Sequence, residues 1–160
     1  MKLALIGILA SLAAVIYQDL RYRHINVLLP IAIYLLGFWM ASQSSSIILQ
    51  VSAINSLFLL ITFGGMVGYM SIKSRHLRNP FKHYFGLGDL LFLIAITPIF
   101  TIHRYITFFI FSLIFSIIVH FAFAKKKDST IPLAGHVSLC TIIALSIDLF
   151  SSYLNVTLIE

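Results

Sequence analysis

The sequence predicts an all-α, polytopic membrane protein with about six transmembrane helices and both termini outside. Three observations predict it. Of the 160 residues, 60% are hydrophobic and only 10% are charged, more apolar surface than a soluble chain of this length can hide. The mean hydropathy is +1.02. The apolar residues fall in runs close to the length that a bilayer crossing needs, about 20 residues for a helix, and short basic clusters separate them. A chain of this length reads as one domain, 1–160. The net charge of +6 lies in those clusters, so it sets membrane topology and meets lipid headgroups rather than nucleic acid.

The first run, 3–17, follows Lys2 and resembles a secretory signal. The bulky stretch Val15-Ile16-Tyr17 offers no small-residue cleavage site, so it is expected to stay as a short span with Asp19 just past its end. Arg21-Tyr22-Arg23-His24 makes a basic turn. The second span, 25–41, holds Pro30 in its first turns, where a missing N–H does least harm. A polar, uncharged loop leads to the third span, 47–72. Gly64, Gly65 and Gly68 there are spaced to let another helix backbone approach closely. A basic segment, 73–84, carries Lys73, Arg75, Arg78 and Lys82, with Asn79-Pro80 as a turn signal. Gly86-Leu87-Gly88-Asp89 opens a fourth span that reaches only to about Phe100, with Pro98 near its end. That is too short to cross, so it is expected to start within the membrane thickness after a glycine turn, where protein or a wet cavity covers the backbone. The fifth span is 105–124. The sixth begins near Ile131-Pro132 and ends near Phe150. Trp39 and Tyr105, near span ends, fit an interfacial belt.

Arg21, Arg23, Lys73, Arg75, Arg78, Lys82 and Lys125 to Lys127 fall on one side of this arrangement, and Lys2 and Arg104 on the other. The larger group belongs in the cytoplasm. Topology then brings Asp19 and Asp89 to the same depth, at the cytoplasmic ends of the first and fourth spans. Of the remaining acids, Asp128 follows three lysines, Asp148 lies at the outer end of the last span, and Glu160 is the final residue.

A carboxylate within a span is costly, about 2.5–3.5 kcal/mol at a helix centre, and usually faces a cavity where it acts. Two carboxylates close together do not both ionise cheaply, so a pair holds one acid and one base. Such a pair activates a water while hydrogen-bonding a peptide carbonyl. The plainer alternative makes both residues ordinary helix-end groups, with Asp89 a cap. Gly86 and Gly88 permit an unusual backbone or a close approach, and with it the pairing of an extended substrate strand beside Asp89. The six histidines show no compact ligand spacing, and Cys140, the single cysteine, makes neither an internal disulfide nor a Cys-x-x-Cys site, so no metal is expected.

Asp19-Leu20-Arg21-Tyr22-Arg23-His24-Ile25, then Gly86-Leu87-Gly88-Asp89, then Ile131-Pro132-Leu133-Ala134-Gly135 resemble, in that order, the type IV prepilin peptidase family. These are membrane aspartic peptidases with a G-x-G-D motif. The resemblance covers nearly the whole chain. It implies that Asp19 and Asp89 are the catalytic pair of an endopeptidase of the bacterial inner membrane, without a cofactor. Its partners would be prepilin-like substrates of a pilus or secretion system, cut at the cytoplasmic face. Arg21, Arg23, Lys73 and Arg75 would then touch the substrate leader or lipid. Leu91 stands where many members have lysine, and Asn26-Val27 follows Ile25 where many have Pro-Asn or Ser-Asn. With one cysteine, the chain resembles the short core-only form, without a clear methyltransferase site. Presenilin-like intramembrane proteases share the motif but have more spans. A non-enzymatic reading remains beside these: a small transporter or assembly subunit using the aspartates as an ion or proton relay.

Overall fold

In the computed structural model the described residues are 2–44, 46–74, 86–123 and 131–150. They form six helices and, among the described residues, no strand: α1 Lys2–Tyr22, α2 Leu28–Ser44, α3 Ile48–Ser74, α4 Leu87–Ala95, α5 Ile102–Phe123 and α6 Leu133–Phe150. Three stretches, Leu3–Tyr22, Ile48–Lys73 and Ile102–Ala122, are long and apolar enough to cross a membrane. Leu28–Gln43 and Leu133–Leu149 are shorter apolar helices. α1 is longer than the sequence suggests, and Asp19 lies inside its last turn rather than beyond its end. Helical order survives there because Leu20, Arg21 and Tyr22 are all able to extend it. Arg23 ends it with a φ of 59° and donates its N–H to the Asp19 carbonyl. The following turn is tied back: Asn26 N–H donates to Gln18 Oε1, and Asn26 Oδ1 accepts from Leu28 N–H at the start of α2.

α1, α2, α3, α5 and α6 pack in that cyclic order, and α4 sits against α2, α3 and α6. α4 has nine residues, about 13 Å at 1.5 Å per residue, less than half a bilayer core. A turn over residues 96–99 follows, containing Pro98, and α5 then starts. The sequence places this break correctly but not its consequence. A helix that stops inside the bundle leaves C-terminal carbonyls without partners. Here Asn55 of α3 donates to the carbonyls of Thr97 (3.0 Å) and Phe100 (3.1 Å). Tyr105 of α5 donates its hydroxyl to the Leu93 carbonyl at 2.8 Å. Tyr105 is thus a core residue, fully buried against Phe58 and Phe100, and not part of an interfacial belt. Trp39 is half exposed.

The glycines of α3 also differ from expectation. Among the described residues, a Cβ on Gly64, Gly65 or Gly68 would meet nothing within 4 Å. The close helix approaches are elsewhere: a Cβ on Gly7 would lie 3.1 Å from Leu36 Cδ1, and one on Gly37 would lie 3.1 Å from Ile99 Cγ1. Sequence spacing alone does not say which face of a uniformly apolar helix meets protein. Alanine at Gly64, Gly65 or Gly68 should therefore leave the melting temperature in detergent unchanged or higher, since alanine is favoured over glycine in a helix by about 1 kcal/mol. Gly37→Ala should lower it.

Candidate active site

α6 begins at Leu133, just after Pro132, which has no N–H to satisfy. The first N–H groups of a helix lack intrahelical acceptors and form its positive end. Here Leu133 N–H reaches the Ile131 carbonyl, and His136 N–H reaches the Pro132 carbonyl. The two between them go to the two aspartates. Ala134 N–H donates to Asp89 Oδ1 at 3.0 Å, and Gly135 N–H donates to Asp19 Oδ2 at 2.6 Å. Adjacent amides at one helix terminus thus hold carboxylates that are 70 residues apart in sequence, and each carboxylate lies within electrostatic reach of the other. Asp19 is buried, at 5% exposure, and Asp89 is half-buried.

Asp89 is the third residue of α4, and Gly86 is the residue before the helix. The cap position therefore belongs to Gly86, and Asp89 reaches back over it. Its own N–H donates to the Gly86 carbonyl at 3.1 Å. Asp89 thus stands in the first turn of α4 and not at its cap. Its Oδ1 nevertheless goes to α6, which no local cap requires.

The glycines of the motif have unequal roles. Neither has positive φ; Gly86 is extended, at φ −73° and ψ 133°. The unusual backbone that glycine permits is not used. Space is. A Cβ on Gly86 would stand 2.9 Å from Asp89 Oδ2, while one on Gly88 would make ordinary contact with Ile25 at 3.6 Å. Gly86→Ala should displace the Asp89 carboxylate, with little change in stability. Gly88→Ala should leave the melting temperature unchanged or raise it. Thermal melts of both variants in detergent check this pair.

Arg21 and Arg23 are exposed at the same end of the bundle. The Arg21 guanidinium lies 5.8 Å from the Tyr17 ring and 5.7 Å from the Tyr22 ring. Arg23 carries the left-handed turn that closes α1, and its charge acts on Asp19. Lys73, near the end of α3, stands 6.0 Å from the Tyr69 ring. Arg75 lies outside the described residues, as do Arg78, Lys82 and the three lysines from 125 to 127. His136 follows Gly135 directly and packs edge-on against Phe115 of α5.

Ala134 and Gly135 are not singled out by their side chains in the sequence, because they meet the aspartates through backbone amides. Pro132 at the head of an apolar run was the available signal, since it marks a helix start and hence a set of free N–H groups. No protein-family model matches the chain, nor does any curated protein or solved structure.

Proposed function

We propose that the protein is a membrane-embedded aspartic endopeptidase of the prepilin peptidase type. The observation that carries the reading is the delivery of Asp19 and Asp89 to neighbouring amides of one helix terminus. Each carboxylate has one oxygen held by α6, which leaves Asp19 Oδ1 and Asp89 Oδ2 off those amides. One carboxylate takes a proton from water as the water oxygen attacks the scissile carbonyl carbon. The other, protonated, hydrogen-bonds the carbonyl oxygen. Breakage of the C–N bond then passes a proton to the leaving nitrogen. The extended, exposed backbone at Gly86 offers a place for a substrate strand to pair.

In this reading the chain is a multi-pass protein of a bacterial inner membrane with both termini outside. The end bearing the aspartates faces the cytoplasm, where the basic residues collect. Its substrates are prepilin-like proteins, cut between a leader and an apolar helix, and Arg21, Arg23, Lys73 and Arg75 meet the leader or anionic lipid. The test is incubation of the detergent-purified protein with a prepilin-like substrate, followed by gel analysis and amino-terminal sequencing of the product. Cleavage just before the apolar helix is expected. An uncleaved substrate, with proton or cation flux measurable in proteoliposomes, would replace a peptidase with a relay.

A further inference from the structure

α4 carries Asp89 and buries Phe92, Leu93 and Ala95 in the core against its neighbours. Its N-terminal turn bears the carboxylate. Its C-terminal end is gripped from α3 and α5. Asn55 is fully buried and places both amide hydrogens on carbonyls just beyond the helix, at Thr97 and Phe100. Ser52, one turn earlier on α3, meets the Thr97 hydroxyl at 3.0 Å and the Tyr34 hydroxyl of α2 at 3.3 Å. Thr97 turns its hydroxyl back to the Ile94 carbonyl, and Tyr105 covers the Leu93 carbonyl. The Phe92 and Ile94 carbonyls accept from N–H groups of the turn itself, the Leu93 carbonyl accepts from Tyr105 of α5, and Asn55 of α3 holds the turn in place. In an apolar surrounding these bonds are hard to exchange, because water is not there to replace them.

We infer that Asn55, assisted by Tyr105, is a positioning residue for Asp89. It anchors the inner end of α4 and thereby sets where the carboxylate meets α6. The anchor at Thr97 lies eight residues from Asp89, about 12 Å along the helix direction. Without that anchor the turn shifts against its neighbours, and a helix this short carries the shift to its carboxylate end. The inference rests on the reading of Asp89 as catalytic for its functional meaning, but its geometry is testable without catalysis.

The experiment uses the full chain in a Cys140→Ala background with two engineered cysteine pairs. Asp89→Cys with Ala134→Cys reports α4 against α6; Asp19→Cys with Gly135→Cys reports α1 against α6. Oxidative cross-linking rates are compared with and without Asn55→Leu. The α4–α6 pair is expected to cross-link many-fold more slowly in Asn55→Leu, with the α1–α6 pair unchanged. Equal slowing of both pairs would make Asn55 a general packing residue and overturn the inference, as would no change in either. Tyr105→Phe, which keeps the ring and removes only the hydroxyl, should act in the same direction to a smaller degree. With both aspartates present, Asn55→Leu should lower kcat by about 100-fold, as small misplacements of a reacting group do, with KM little changed. Slowed α4–α6 cross-linking with no cleavage by the parent protein would leave the positioning role intact and remove the peptidase reading.

Discussion

Asp19→Asn and Asp89→Asn should each reduce cleavage by about 100- to 10,000-fold, the contribution of a positioned acid or base. Asparagine keeps the shape of aspartate, and its carbonyl oxygen still accepts from Gly135 or Ala134 N–H. The helix terminus therefore stays satisfied, and the melting temperature in detergent should hold. What is lost is the ability to exchange a proton with water. Because the two carboxylates work as one unit, the double variant should be about as impaired as either single one, not the product of both losses. Single-turnover cleavage followed on a gel, beside thermal melts of the same preparations, measures both quantities. Variants that cleave as well as the parent would remove the proposed mechanism.

Gly135→Val should have the next largest effect. A Cβ at Gly135 would stand 3.2 Å from Asp19 Oδ2 and 3.4 Å from Asp19 Cβ, against a hydrogen bond of 2.6 Å. Valine adds two further methyl groups, and buried Asp19 has little room to withdraw. Overpacking of this kind costs about 1–3 kcal/mol of stability. Displacing the carboxylate by even a fraction of its present reach to α6 should cost about 100-fold in cleavage. Gly135→Ala separates the two effects. Its gain in helix preference of about 1 kcal/mol offsets the crowding, so stability should stay near that of the parent while cleavage falls. Normal cleavage by Gly135→Val would show that the Gly135 amide is not what holds Asp19 in its working position.

Much of the fold was legible before any coordinates. Helical class follows from the apolar runs, and the break after the fourth run follows from Pro98 and the shortness of the stretch. The expectation that Asp19 and Asp89 lie at one end of their spans comes from the alternation of runs and basic clusters, and the structure joins both to the start of α6. Helix faces were not legible. In a chain that is apolar all round, periodicity does not separate the side that meets lipid from the side that meets protein. That is why Gly64, Gly65 and Gly68 suggest a contact that α3 does not make among the described residues, while Gly7 and Gly37 make contacts the sequence does not advertise. Tyr105 misleads for a related reason. Aromatic residues with a polar tip suit a membrane interface, and they equally suit a buried carbonyl that needs a donor.

By itself the sequence determined that the chain is helical and apolar, and which two acids stand apart from the rest. These properties are local: each depends on residue type and on distance along the chain. Only the tertiary structure decided that both acids bond to consecutive amides of α6, and that Asn55 and Tyr105 hold the inner end of α4. Those facts depend on which unpaired backbone groups of one helix lie beside which side chains of another. Hydrogen-bond donors and acceptors left over at helix ends are invisible in residue identity, and their partners are selected when the helices pack.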